Sequence, residues 1–357
     1  AMSGAFFTDL FGSNTADIDV RALLHGYNLM SWDHETGTYQ INDSVVAGMA
    51  VSRDAQNNRV YTFDLYGDLK FSDGSAITAK DYAFSILLTA SPELAKLGGQ
   101  SAAVGAILGM DAYQSGKSSV LRGVRLLSDT QMSITISKAY EPYFYEMALF
   151  DYSPYPISVL APGCKVVDTE KGVGIVNAGG TGAAIFTADL LQKTILDAAT
   201  GYMSHPSVVS GPYTLTSYDA QRGTASFAIN PYYKGNEDGE KPTIETIVYR
   251  SVSNDEAIDL LLSGEVDLLN KMVAADTISK GIQSTADQPF SVANYPRSGL
   301  SMISFSCERQ TVSSKAVRQA IASCFDRDAL VKAYTGNFGL KANGYFGIGQ
   351  WMYQLAA

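Results

Sequence analysis

The sequence is poor in the residues that bring metal and redox chemistry. Three cysteines and three histidines occur in 357 residues. Cys164, Cys307 and Cys324 are odd in number and fit no zinc-ligand spacing. His25, His34 and His205 form no HxxxH or HxH pair. No metal and no cofactor are therefore expected. The three thiols read as buried or half-buried side chains, with a Cys307–Cys324 disulfide left open. Basic charge is short as well: 26 Lys and Arg against 36 Asp and Glu leave a formal net charge of −10. No basic run offsets this locally, so the balance argues against a phosphate-rich partner and no nucleic acid is expected. No stretch approaches the length of apolar sequence that spans a bilayer. The first seven residues, Ala1 to Phe7, have neither a basic region nor a long apolar core, so they are not a signal peptide. Ala1 stands ahead of Met2 and reads as a residue left by removal of a tag. The gene product is expected to begin earlier, with a secretion signal.

What is present is globular. Hydrophobic residues make up 46% and charged residues 17%, and the length implies about two domains. No repeat of fixed period is found. Strands, hairpins and helices mix without strict βα alternation, which points to a mixed α/β (α+β) class. Asn14 or Thr15 is positioned to cap a helix from about Asp17 to Leu24, with Val20, Leu23 and Leu24 on one side. Residues 60 to 66 alternate as a half-buried strand with Tyr61, Phe63 and Leu65 on one face. Thr78 and Asp81 form a short capping box ahead of a helix whose face carries Tyr82, Ala83, Ile86, Leu87 and Ala90. Val124 to Leu127 and Gln131 to Ser137 form a hairpin, whereas residues 161 to 187 read as Gly-rich and mostly irregular.

Beyond these lie paired strands at Tyr213 to Tyr218 and Ala225 to Asn230, then a strand at Ile244 to Tyr249. Asn254 is expected to cap a helix closed by Gly264, followed by a short strand at Val266 to Leu269. Ala274 to Pro296 reads as a less regular crossing. A strand near Ser301 to Phe305 and a helix near Ser314 to Phe325 follow, and Asp326 caps a last helix ending at Gly336.

Three ordered blocks carry a family resemblance. The first is Tyr61-Thr62-Phe63-Asp64-Leu65, Leu69-Lys70-Phe71-Ser72-Asp73-Gly74 and Thr78-Ala79-Lys80-Asp81-Tyr82-Ala83-Phe84-Ser85. The second is Ser210-Gly211-Pro212-Tyr213, Asn230-Pro231-Tyr232-Tyr233-Lys234-Gly235 and Ser263-Gly264-Glu265-Val266-Asp267. The third is Val317-Arg318-Gln319-Ala320-Ile321 with Phe325-Asp326-Arg327. Together, over residues 61 to 336, they resemble the family 5 extracellular solute-binding proteins, which include the dipeptide- and oligopeptide-binding components of ABC importers.

The resemblance implies a two-lobed, periplasmic-binding-protein-like clamp (type II, cluster C) that closes on its ligand by hinge motion. Lobe one would span residues 1–270, with an inserted subdomain at about 35–205. Residues 271–357 would form the crossing and the first part of a second lobe. Family members run on beyond the third block, so the chain is expected to be C-terminally shortened and to bind weakly or not at all on its own. Ser306 stands where the family more often has Asn. The implied partners are a peptide or similar small solute and an ABC transporter permease in the membrane, with the protein itself a monomer. The implied location is extracellular or periplasmic, anchored through a lipidated N-terminus that lies outside this chain. By position relative to the blocks, the cleft-lining candidates are Ser13, Asn14, Thr15, Met302 and Ser304. Arg297, near the crossing, is a candidate for meeting an anionic group. Each has an ordinary structural alternative: helix caps for Ser13 to Thr15, core for Met302 and a solvated surface for Arg297.

Other constellations point away from catalysis. Gly172-Val173-Gly174 and Gly179-Gly180-Thr181-Gly182 lack the following Lys-Ser or Lys-Thr of a phosphate loop. Asp33 and Glu35 are too close in sequence to straddle a glycosidic bond. Glu237, Asp238 and Glu240 supply too few oxygens at set positions for a calcium loop. The aromatic run Tyr140, Tyr143, Phe144, Tyr145, Phe150, Tyr152 and Tyr155 reads as subdomain core; exposed in a groove, it would favour a carbohydrate or hydrophobic peptide. A receptor without catalysis is therefore expected. The alternatives are a secreted hydrolase of glycans or peptides, and a receptor of the same fold for oligosaccharides or metal chelates.

Overall fold

Asn14 opens helix α1 (Thr15–Leu24). Its backbone is extended and its side chain accepts the Asp17 amide at 2.9 Å, satisfying one of the donors that a helix start leaves unpaired. The protein is seen here in a computed structural model that describes residues 2–12, 14–33, 36–100, 105–143, 145–285, 289–294, 299–336, 338–345, 347 and 350. The chain divides into two compact units. One covers residues 1–251 apart from 35–37, and the other covers 252–357 together with 35–37.

In the first unit, β1 (Met30–Asp33) and β2 (Thr38–Ile41) pair as an antiparallel hairpin. β3 (Val46–Arg53) and β4 (Arg59–Leu65) start a second sheet. Tyr61, Phe63 and Leu65 of β4 point inward and are buried, as their alternation predicts. Helix α2 (Ala79–Thr89) follows. The Asp81 carboxylate accepts the Thr78 amide at 2.8 Å and the Thr78 hydroxyl at 2.9 Å, the reach-back arm of the expected capping box. The sequence marks one apolar face on α2, but every residue from Asp81 to Leu88 is buried. Its polar groups find partners inside: the Tyr82 hydroxyl donates to the Tyr27 carbonyl at 2.7 Å, and the Ser85 hydroxyl to the Asp81 carbonyl at 3.0 Å. Thr78→Ala is expected to cost about 1 kcal/mol, read as a lower urea midpoint at unchanged slope.

Short helices α3 (Pro92–Lys96) and α4 (Met110–Gln114) lead to β5 (Val120–Leu121), β6 (Val124–Leu126) and β7 (Gln131–Ile136). The sheet order is β3-β4-β7-β6. After α5 (Ile157–Leu160), residues expected to be irregular form a hairpin, β8 (Cys164–Thr169) with β9 (Gly172–Asn177), in the sheet order β5-β9-β8. The glycines that suggest a loop are what allow β9 to approach β5. A Cβ on Gly172 would lie 2.3 Å from the Leu121 carbonyl oxygen, and one on Gly174 would lie 2.9 Å from that of Ser119. Gly172 and Gly174 therefore sit in a strand. Gly179 to Gly182 do occupy a loop, which Asn177 closes through bonds to the Ala183 carbonyl (2.8 Å) and the Ile185 amide (2.9 Å).

Helix α6 (Ala188–Thr194) precedes the antiparallel sheet β10 (Tyr213–Asp219), β11 (Thr224–Ile229) and β12 (Thr246–Arg250). Phe6, Val20, Leu24, Val209, Tyr213 and Phe227 close a small core between this sheet and α1. A larger core gathers the remaining sheets around α2. The aromatic run divides. Phe150 is fully buried against Tyr61 and Phe63 at ring distances of 4.6 and 5.4 Å, while Tyr140 and Tyr143 are exposed. Phe144 lies outside the described residues.

The second unit contains α7 (Asn254–Leu262), α8 (Ala275–Thr285), α9 (Lys315–Ser323) and α10 (Arg327–Thr335). The residue before α7 is Ser253, so its cap falls one position ahead of Asn254. Helix α8 replaces part of the expected irregular crossing. It packs on α7 through Gly281, close to Ile258, and through a Lys280–Asp259 ion pair of 2.7 Å. Asp326 caps α10 by accepting the Asp328 and Ala329 amides at 3.0 Å, and Gly336 ends that helix in the left-handed region. Neither Val266 to Leu269 nor Ser301 to Phe305 forms a strand. Both segments lack a ladder partner among the described residues. The thiols differ from expectation too: Cys164 is buried, but Cys307 and Cys324 are exposed, and all three are free.

Candidate functional site

Three side chains spaced four apart on α1 and its C-cap face the N-terminal segment, as helical periodicity requires. Buried Asp17 accepts the Ser3 amide at 2.9 Å and the Ser3 hydroxyl at 2.5 Å. Arg21 donates to the Ala5 carbonyl at 2.7 Å, and His25 Nε2 lies 3.0 Å from the Phe6 carbonyl. The Phe6 carbonyl can only accept, so Nε2 carries the proton. The other edge of the segment is held by the Phe6 amide, which donates to the Met203 carbonyl at 2.9 Å. Phe6 packs edge-on against Tyr218, and Phe7 packs on Tyr155 and Tyr202. Burial pushes the His25 imidazole down to about 4, and its Phe6 bond only partly offsets that.

This stapling leaves an open cavity of about 510 Å³ between residues 3–5, the loop leading to α1, and the turn at 196–204. Phe11, Gly12, Asn14, Asp197, Ala198 and Ser204 are among its walls. A second cavity of about 410 Å³ shares Phe11 and Gly12 and extends past Asp9 to Gly98 and Gln100. Asp197 anchors the turn. Its Oδ1 accepts the Ala199 amide at 3.0 Å and both the amide and hydroxyl of Thr200 at 2.9 Å. These bonds, with the Thr200 hydroxyl foremost, hold its carboxyl below the usual range. The walls combine the apolar Phe11, Leu196 and Met203 with small side chains, Asn14 and the Asp197 carboxylate. They suit recognition of a ligand's outline and polar groups, and the Ser204 hydroxyl on this wall lies 2.9 Å from His205 Nδ1.

Of the residues singled out in the sequence, Asn14 lines the cavity while capping α1, and Thr15 is the first helical residue behind it. Met302 and Ser304 lie in the second unit and are exposed, Met302 at 57%. Ser13 and Arg297 lie outside the described residues. Sequence reasoning missed the turn at 196–204. An Asp followed by small residues, Thr200 and Gly201 is a turn signal that many surface loops share.

Residues of the first two blocks that carry the family resemblance have a different role: they build a joint. Ser72 receives the Val209 amide on its hydroxyl at 3.0 Å and donates its own amide to the Val209 carbonyl at 2.8 Å. Ser210 Oγ bridges the Gly26 amide (3.2 Å) and carbonyl (3.0 Å), and Asn230 Nδ2 donates to the Gly211 carbonyl at 2.9 Å. Tyr233 stacks on Tyr27, whose hydroxyl accepts the Lys234 amide at 2.6 Å.

The sequence model of the bacterial extracellular solute-binding proteins, family 5 Middle, matches residues 44–356. The chain belongs to this family. The periplasmic oligopeptide-binding protein OppA of Escherichia coli is 23% identical over 305 residues, which are 84% of this chain and 48% of that protein. The oligopeptide-binding protein OppA of Lactococcus lactis is 27% identical over 233 residues, 64% of this chain and 32% of that protein. The chain thus spans about half the length, or less, of these relatives. Among solved structures, lactococcal OppA complexed with an endogenous peptide in the closed conformation has a TM-score of 0.62 at 19% identity, covering 91% of this chain and 56% of that one. NikZ from Campylobacter jejuni in complex with Ni(L-His) has a TM-score of 0.60 at 15% identity, covering 96% and 54%. These likenesses show the fold: the mixed α/β, type II periplasmic-binding-protein kind that the sequence blocks resemble. Among the described residues, no helix is long and apolar enough to cross a membrane.

Proposed function

We propose that this family 5 chain is the capture component of an ABC importer, binding peptides or similar small solutes without chemically changing them. The match to the family over residues 44–356 carries the reading. The open cavity beside Asn14 supplies a place for the ligand. In this reading residues 1–270, with a subdomain at about 35–205, act as one lobe and residues 271–357 contribute to another. Hinge closure of the two holds the ligand and presents it to the permease. Ser13, Asn14 and Thr15 line the cleft from the first lobe, and Arg297, Met302 and Ser304 from the second. The protein acts as a monomer in the periplasm or on the outer face of the cell, tethered by a lipidated N-terminus. The names of the OppA relatives favour a peptide as the solute.

The test is titration of the isotope-labelled chain with short peptides, oligosaccharides and nickel–histidine, a readout that registers weak as well as tight binding. Peptides are expected to move the amide resonances of residues 11–14 and 196–204, to raise the thermal midpoint and to be recovered intact. Cleavage of the peptide would overturn the receptor reading. Shifts with a sugar or the metal chelate but with no peptide would overturn the choice of solute.

A further inference from the structure

Asn343 is the only asparagine in the sequence that is followed by glycine. Both residues are exposed, in the segment that follows α10. A Cβ on Gly344 would meet no atom within 4 Å, so the chain is open around this residue. Among the described residues no acceptor is bonded to the Gly344 amide. The Asn343 side chain, by contrast, is held. Arg327, the first residue of α10, donates from Nη1 to Asn343 Oδ1 at 3.1 Å and from Nη2 to the Ala342 carbonyl at 2.6 Å. Lys341 pairs with Asp328 at 2.8 Å on the same helix turn. A guanidinium thus sits on the oxygen of a side-chain amide whose neighbouring backbone nitrogen is accessible. A cation in that place draws electrons away from Cγ and steadies negative charge that develops on Oδ1.

We infer that Asn343-Gly344 is a site of spontaneous deamidation, assisted by Arg327. The Gly344 nitrogen gives up its proton to water and attacks Cγ of Asn343. The new nitrogen–carbon bond closes a cyclic imide, and the side-chain nitrogen of Asn343 leaves as ammonia. Water then opens the imide. Cleavage at Cγ gives aspartate, and cleavage at the backbone carbonyl gives isoaspartate. In sum, water is taken up and ammonia is released, with no oxidant, ligand or partner required. Glycine matters at position 344 because a Cβ there would hinder the approach of the nitrogen. The product turns a neutral acceptor facing Arg327 into a carboxylate, and so changes the charge of the second unit beside the start of α10.

The test is incubation of the whole chain at mildly alkaline pH, followed by peptide mapping with mass spectrometry. The peptide containing Asn343 is expected to gain about one mass unit. Peptides with Asn57 and Asn270, which are exposed but precede Asn58 and Lys271, should stay unchanged over the same period. Gly344→Ala should slow the gain about tenfold. Its methyl group has open space and the backbone there lies outside the left-handed region, so this variant keeps the fold. Arg327→Met should also slow the gain about tenfold, because it takes the charge away from Oδ1. The sign of that change separates two roles for the arginine. A residue that only held the loop would, once removed, free the Asn343 side chain and speed the reaction. An unchanged or faster rate in Arg327→Met would therefore overturn the assistance. A gain at Asn343 no faster than at Asn57, or one unaffected by Gly344→Ala, would overturn the site itself.

Discussion

Replacing Gly211 with alanine is expected to destabilise the first unit by about 3 kcal/mol, the largest single-site effect among the motif residues. An ideal Cβ at this position would lie 2.4 Å from the Leu23 carbonyl oxygen, 2.5 Å from the Leu24 carbonyl carbon and 2.8 Å from the His25 nitrogen. All three are backbone atoms at the end of α1, so no side-chain rotation relieves the contact. The close approach is locked from both sides. The Gly211 amide donates to the Leu24 carbonyl at 2.8 Å, and its carbonyl accepts from Asn230. Accommodating a methyl group means pulling β10 away from α1 and opening the small core of Val20, Leu24, Tyr213 and Phe227. Ser210→Ala is the informative neighbour. It removes the hydroxyl that bridges Gly26 but adds no volume, and should cost only about 1 kcal/mol. Urea unfolding of the two variants separates steric from polar contributions. An alanine at 211 tolerated as well as one at 210 would show that the strand and the helix end do not meet as described.

This joint explains what a family signature in sequence can and cannot report. Ser210, Gly211, Asn230, Tyr233 and Ser72 stand out because backbone crossings demand them, and crossings are shared by any protein with the fold whatever it binds. The cavity is written in weaker characters. Asn14 is legible because a helix cap has a fixed position and chemistry. Asp197 is not, because an aspartate that organises its own turn looks the same in sequence whether or not the turn borders a cavity. Secondary structure divides along similar lines. The cap of α2 and the alternation of β4 are local and can be read directly. Gly172 and Gly174 mislead because tolerance of close strand approach and freedom in a loop call for the same residue. Helix α8 is hidden by its polar composition and by Gly281, which is there to let α7 approach. At Ser301 to Phe305 the apolar Met302, Ile303 and Phe305 suggest a strand, but a strand needs a hydrogen-bonded neighbour, and the described residues provide none. Met302 and Ile303 are accordingly exposed at 57% and 59%.

Acid stability offers a sharper test of the first unit, because two buried groups pull in opposite directions. His25 is depressed from 6.5 to about 4 by burial. Between those two values the unfolded chain takes up a proton there that the folded chain refuses, so stability falls on acidification, by about 3 kcal/mol when complete. Asp81 is raised to about 6 by burial, against the opposing pull of its two bonds from Thr78. Its folded form holds a proton that the unfolded chain has already released. Its contribution is therefore fully present below the unfolded value of 3.8 and lost as pH rises through about 6, again by about 3 kcal/mol. In the natural sequence the two nearly cancel across the same window. His25→Gln keeps a donor for the Phe6 carbonyl but removes the titration. It should leave the Asp81 gain uncovered, making the variant about 3 kcal/mol more stable at about pH 4, relative to about pH 7, than the natural sequence is. Asp81→Asn keeps an acceptor for Thr78 and should show the reverse, losing about the same amount. Other carboxylates held low, such as Asp54 and Glu141, titrate alike in all three chains and drop out of the differences. Denaturant unfolding at the two pH values decides the matter: if both variants track the natural sequence, neither group is shifted as its burial requires.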